Sequence, residues 1–224
     1  MHDAMRRRIL ELAASGALGA AGLSGFMSRA LASGDLPKTS QVHRLEGSAT
    51  VNGQAAKIGT PVKAGDRIAT GPSSQAVVVL GQDAFLLREK TIVEMRGREN
   101  TLTELLVSGG RILSVFSRKP VSIKANTATI GIRGTGAYLE VDAADVYFCL
   151  CYGEAVLQGP GMADKVVKTT HHEQPLLIRA GLGTLRADSA RFQNHSDDEL
   201  ILLESLVGRE PPFMKGGTYP ANKY

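Results

Sequence analysis

The chain has 224 residues, 43% of them apolar and 21% charged, with no Trp, two Cys and a formal net charge of +4. That length suits one domain with a core of its own, and two cysteines exclude the multi-bridge framework of a small secreted scaffold. Setting aside the first 32 residues leaves 22 basic and 20 acidic side chains, so with no basic tract and few aromatics nucleic-acid binding has no support.

The N-terminus, Met5-Arg6-Arg7-Arg8-Ile9-Leu10 followed by an Ala-, Gly- and Leu-rich run to Ala32, predicts a signal peptide over residues 1–32. A basic head, an apolar middle and a small-residue stop at Ala30-Leu31-Ala32 place the cut before Ser33. The head resembles the twin-arginine export signal, because two arginines, any residue and two apolar residues occur in order. Its apolar stretch is diluted by Ser15, Gly16, Gly19, Gly22, Ser24 and Gly25, and Arg29 stands just ahead of the cut. A mature, periplasmic protein from Ser33 onward is the expectation. No later window approaches the ~20 apolar residues of a membrane-spanning helix.

From Val42 to Val156 short runs rich in Val, Ile, Leu and Thr alternate with turn signals such as Asn52-Gly53, Ala64-Gly65-Asp66, Gly71-Pro72-Ser73, Ser108-Gly109-Gly110 and Tyr152-Gly153-Glu154. This spacing predicts an all-β fold, a sandwich or β-roll of short antiparallel hairpins. The expected strands are 42–51, 68–69, 76–80, 84–88, 92–95, 101–107, 111–116, 121–132, 137–141, 146–152 and 155–158. In the stretch from Ile123 to Val141, Ile123, Ala125 and Thr127 are expected on one side, and Ile130 and Ile132 line one face until Gly134 and Gly136 let the backbone turn. Gly65, Asp66 and Gly71 read as turn residues needing positive φ or an Asx bond. Arg133, ahead of Gly134 and Thr135, reads as a tie between strand ends through backbone carbonyls.

Taken in order, Gly65-Asp66-Arg67-Ile68-Ala69-Thr70-Gly71, Ser74-Gln75-Ala76-Val77-Val78, Val107-Ser108-Gly109-Gly110-Arg111-Ile112, Ala128-Thr129-Ile130-Gly131-Ile132-Arg133-Gly134-Thr135 and Tyr152-Gly153-Glu154-Ala155-Val156 resemble the FecR domain, the periplasmic sensor module of iron-citrate signalling. The resemblance spans about Gly47 to Leu157, and the Arg-Gly-Thr stretch is its most specific part. It implies a β-domain that contacts an outer-membrane receptor and passes its state to a sigma factor. This chain departs from that layout in showing no cytoplasmic anti-sigma segment and no mid-chain membrane helix, so a free-standing interaction module is expected. Its domains would be a linker and first strand at 33–46, a FecR-like β-domain at 47–185, a helical segment at 186–213 and a flexible tail at 214–224.

A second departure is chemical. In Val146-Tyr147-Phe148-Cys149-Leu150-Cys151-Tyr152 the strand period of two puts both sulfurs on one face, ~6.5 to 7 Å apart along the backbone. Three readings stay open: two small hydrophobes in a buried strand, a strained disulfide, or half of a metal or redox site. For the last, His171, His172 and His195 are the other candidate ligands. At most one of His171 and His172 joins the cysteine face unless residues 169–175 turn. A set of Cys149, Cys151, one of that pair and His195 has ligands suited to copper, zinc or iron.

Ser196-Asp197-Asp198-Glu199 opens the one convincing helix, a capping box with acidic residues at the positive end of the dipole. It should run to Val207 and stop at Gly208, with Leu200, Leu203 and Val207 as its apolar stripe, Leu206 at the edge and Glu204 outside. The helix is expected as a lid on the sheet, or as a partner-binding element with Pro212-Phe213 as anchor. The sequence contains no Gly-x-Ser-x-Gly elbow, phosphate loop, dinucleotide fingerprint or His-Glu-x-x-His, so an enzyme has no motif support. The first expectation is a non-catalytic periplasmic module for an envelope protein, an outer-membrane protein or a cell-envelope glycan. The second is a metal-binding or redox accessory protein.

Overall fold

A computed structural model of the chain describes residues 39–181 and 183–214; the expected signal peptide and most of the expected tail lie outside them. Fifteen strands follow in order: β1 Gln41–Glu46, β2 Ala49–Val51, β3 Gln54–Ala55, β4 Arg67–Thr70, β5 Gln75–Leu80, β6 Asp83–Leu87, β7 Ile92–Arg98, β8 Thr101–Val115, β9 Pro120–Ala125, β10 Ala128–Arg133, β11 Gly136–Val141, β12 Asp145–Gln158, β13 Lys165–Thr169, β14 Leu176–Gly181 and β15 Thr184–Ser189. One helix, α1 Asp197–Leu206, and a 3₁₀ turn at Pro212–Met214 complete the described chain.

The fold is all-β, as the turn spacing predicts, but two strands are longer than expected. At Gly109-Gly110 and Gly153, where the sequence predicts turns, β8 and β12 instead continue through a bend and change layers. The first half of β8 pairs with β7 and β9, and its second half with β6 and β11. Likewise β12 pairs with β11 and β14 through its first half and with β10 and β13 through its second. The bend needs glycine at both places: Gly110 has φ 95°, with a Cβ there only 2.4 Å from Thr91 Cα, and Gly153 has φ 100°, with a Cβ 2.7 Å from Thr135 Cγ2. These bends let the two long strands serve two sheets. One layer runs β1-β5-β6-β8-β11-β12-β14-β15 and the other β3-β2-β4-β7-β8-β9-β10-β12-β13.

Val78, Phe85, Ile112, Leu139 and Phe148 from the first layer meet Ile68, Met95, Leu105, Ile123, Ile130 and Leu157 from the second in one apolar core. The first layer is buried on its other face as well, where Leu86, Leu113, Val115, Tyr138, Cys149 and Cys151 alternate with the inward residues and are at most 1% exposed. A sheet covered on both faces needs near-continuous apolar strands, which explains runs such as QAVVVL and DVYFCLCY. The segment after β15 supplies part of that cover: α1 packs on β6 and β8.

Several expectations are corrected in detail. The expected 42–51 strand breaks at Gly47, where φ is 73°, and the expected 121–132 strand is a hairpin turning at Asn126 and Thr127. Thr127 is therefore exposed in the turn, while Ile123, Ala125, Ile130 and Ile132 face the core. One pair, β8 with β9, is parallel rather than antiparallel. Strands β13, β14 and β15 carry the β-domain to Ser189, beyond the expected limit at 185. In α1, Glu204 is 3% exposed rather than outside, drawn inward by the Tyr152 hydroxyl, which donates to it, and by Arg209, whose Nε donates at 2.6 Å. Val207 is the C-cap and only half-buried.

The turn residues take local roles. Gly65 has φ 99°, and Asp66 accepts from the Lys63 amide and the Asn52 side chain, each at 2.8 Å. Gly71 does not take the positive φ expected of it, and a Cβ there would meet only the Ser48 hydroxyl, at 2.3 Å, which can rotate away. Arg133 is exposed, and its Nε donates to the Arg118 carbonyl at 2.9 Å; Gly134, with φ 63°, donates its N–H to the Ser117 carbonyl, and Thr135 is fully buried.

Candidate metal centre

On β12 the side chains of Phe148 and Leu150 enter the core between the layers, so Cys149 and Cys151 point together to the opposite face. Both are fully buried, and neither is bridged. What lies over them comes from two loops. Strand β13 pairs with the second half of β12, and the chain beyond it stays on that strand because the Thr169 hydroxyl donates to Leu150 O at 2.8 Å and the His172 amide to Cys151 O at 3.0 Å. His172 itself has φ 57°, and this left-handed residue is the turn that brings one member of the His pair to the cysteine face. The second loop leads from β15 to α1 and carries His195, whose ring stacks on Tyr138 with centroids 4.4 Å apart and planes at 20°.

The four ligand-type atoms converge. Cys149 Sγ lies 3.5 Å from His172 Nδ1, Cys151 Sγ lies 3.5 Å from His195 Nε2, and the two ring nitrogens are 3.2 Å apart. One atom from each of Cys149, Cys151, His172 and His195 falls within 4.8 Å of all the others, and all four residues are buried. Each imidazole has its far nitrogen engaged: His172 Nε2 with Asp197 Oδ1 at 3.0 Å, and His195 Nδ1 with the Gln193 carbonyl at 2.7 Å. With each imidazole neutral and its proton on the nitrogen that faces the carboxylate or carbonyl, the near nitrogen presents its lone pair to the sulfurs. That is the arrangement by which metal-binding histidines are oriented.

His171 stands elsewhere. It shares Asp197 Oδ1 with His172, at 2.8 Å, and stacks on Phe213 at 4.5 Å. Of the five candidate ligands the structure thus gathers Cys149, Cys151, His172 and His195 into one cluster and leaves His171 in the support around it. The sequence marks Asp197 only as a helix-dipole acid; its contact with His172, 25 residues away, is one that no local pattern reveals.

Charge is arranged for the same task. The Cys149 thiol is driven well below its ordinary value by the hydrogen bond from Cys151 and then by His172 and His195, in spite of burial. Cys151 is pushed the other way, by burial and by the charge on its neighbour. Burial lowers the His172 pKa, but Asp197 and Cys149 together outweigh it and leave the pKa above its ordinary value.

No family model and no curated protein matches the chain. Two crystal structures of a candidate anti-sigma factor from Parabacteroides distasonis are similar to it at 10% and 14% sequence identity, with TM-scores of 0.46 and 0.45. Each match covers 55% of this chain and 59% of that one, so the chain spans under two thirds of those structures. Likeness at this level carries no function to the present protein.

Proposed function

We propose that this protein is an exported, non-catalytic β-module whose working feature is a metal centre formed by Cys149, Cys151, His172 and His195. The observation that carries this is the convergence of two sulfurs and two ring nitrogens, drawn from three separate parts of the chain, on one buried point. Core packing alone would not select that set: two thiols and two imidazoles with aligned outer partners bury polar groups where aliphatic side chains would serve. The site has no exposed ligand, so it suits holding an ion rather than presenting it to a substrate.

The test is the metal content of protein recovered from the periplasm. Near-stoichiometric metal that falls to background in the Cys149→Ser, Cys151→Ser double variant supports the reading; wild-type protein with two titratable thiols and no metal removes it. Export rests on the basic head and small-residue stop, and Arg6→Lys with Arg7→Lys should trap precursor in the cytoplasm. Normal processing of that variant would discard the twin-arginine route.

A second reading is favoured by the ordered FecR-like pieces, whose glycines Gly65, Gly134 and Gly153 all adopt positive φ. On it, the module binds an envelope protein or glycan and takes part in signalling, with the metal centre as a support. Unchanged binding of a purified partner by metal-free protein would favour this reading over the first.

A further inference from the structure

The ligand geometry also narrows the ion, an inference that rests on the metal-centre reading above. We propose that the site takes a single zinc(II) ion, bound by both sulfurs as thiolates and by His172 Nδ1 and His195 Nε2, in a closed tetrahedron without a water position.

Distance comes first. Zinc bonds of about 2.3 Å to sulfur and about 2.0–2.1 Å to nitrogen at tetrahedral angles give S···N edges of about 3.5 Å and an N···N edge of about 3.3 Å. The structure has S···N separations of 3.5 and 3.5 Å and an N···N separation of 3.2 Å. Three of the six edges of the polyhedron thus already have the length that zinc requires, and the other three are at most 4.8 Å.

Connectivity excludes the other centre built from two Cys and two His. In a Rieske-type [2Fe–2S] cluster the histidines hold one iron and the cysteines the other, which keeps each nitrogen a cluster's width from the sulfurs. Here each sulfur has a nitrogen as its near neighbour, so there is room for one ion only. With no oxygen among the four ligands, calcium and magnesium are excluded as well.

Charge and coordination preference decide among single transition ions. Two thiolates and two neutral imidazoles around a divalent cation make a neutral unit, fit for residues that are 0%, 0%, 2% and 6% exposed. Copper(I) would leave one negative charge in the same apolar surroundings, close to the Asp197 carboxylate that already faces His172. Copper(II) and nickel(II) favour tetragonal or planar sites over this one, and iron(II) and cobalt(II) bind such ligands less tightly than zinc does. Since no ligand is exposed, the ion would have no open coordination position at which to activate water.

Cobalt(II) added to metal-free protein gives the test, because its optical spectrum reports both coordination number and thiolate ligation. The prediction is strong visible bands of four-coordinate cobalt with sulfur-to-metal charge transfer in the near ultraviolet, both lost on adding one equivalent of zinc, and zinc as the metal in protein taken from cells. Weak six-coordinate bands, missing charge transfer, zinc that fails to displace cobalt, or copper or two irons per chain in cell-derived protein would overturn the zinc assignment while leaving a metal centre. Failure of every ion to bind would remove the metal-centre reading itself.

Discussion

Asp197 holds two histidines by one oxygen, and the two contacts have different consequences. Through His172 it fixes which ring nitrogen faces the sulfurs; through His171, which is only half-buried, it ties the site to the surface. Outer partners of this kind typically change metal affinity by about 10–100-fold when removed. Asp197→Asn keeps the shape but loses the charge, so it should weaken metal binding by about that factor while leaving the fold and the four ligands in place; competition with a chelator measures it, and an unchanged affinity would deny Asp197 its positioning role. Elsewhere, burial pushes the Asp83 carboxyl above its ordinary value, opposed by the Ser117 hydrogen bonds and by Lys119 and Arg209. A carboxyl raised in the folded state favours folding most below its unfolded pKa of about 3.9, and that contribution is lost as pH rises through the higher folded value. Replacing Asp83 by Asn should therefore flatten the decline in urea midpoint between about pH 4 and about pH 7; parallel curves for the two proteins would contradict it.

At the scale of elements, α1 and the two ligand loops respond differently to the ion. Leu200, Ile201, Leu202, Leu203 and Leu206 are each at most 4% exposed, and at about 1.5–3 kcal/mol per side chain their burial contributes on the order of 10 kcal/mol before ordering costs. Glu199 adds a charge-assisted bond from Arg88 Nη2 at 2.8 Å, and the Ser196 capping box closes the first turn. The helix should stay docked without metal, whereas residues 170–175 and 190–196, which carry His172 and His195 on left-handed turns at His172 and Asn194, should open. Hydrogen exchange on loaded and metal-free protein tests this: faster exchange confined to the two loops is expected, and equal loosening of α1 would mean that the ion docks the helix. The same elements show what was legible in the sequence. Period two placed both sulfurs on one side, and Ser196 with Glu199 placed the helix start. Which of His171 and His172 turns inward was not legible, because it depends on one residue's backbone. The Gly109-Gly110 and Gly153 positions read as turns because glycine marks a bend between layers as readily as a chain reversal. Strands β13 and β15, KVVKT and TLRADS, carry too few apolar residues to stand out, since they lie at sheet edges.

For the whole molecule the main fact is a sheet buried on both faces. Its inner face completes the core with the second layer, and its outer face meets α1 and the two histidine loops. The core holds more than thirty buried apolar residues, so a domain of this size needs no metal staple to fold. An ion held here would then be kept for its own sake rather than as a support for the fold, and no helix among the described residues is long and apolar enough to cross a membrane. X-ray absorption at the edge of the metal bound to the wild-type protein tests this account most directly. It predicts one metal site with two sulfurs at about 2.3 Å and two nitrogens at about 2.0–2.1 Å, with the sulfur shell lost in the Cys149→Ser, Cys151→Ser variant. A shell of oxygen and nitrogen alone, or a sulfur shell that survives in that variant, would contradict it.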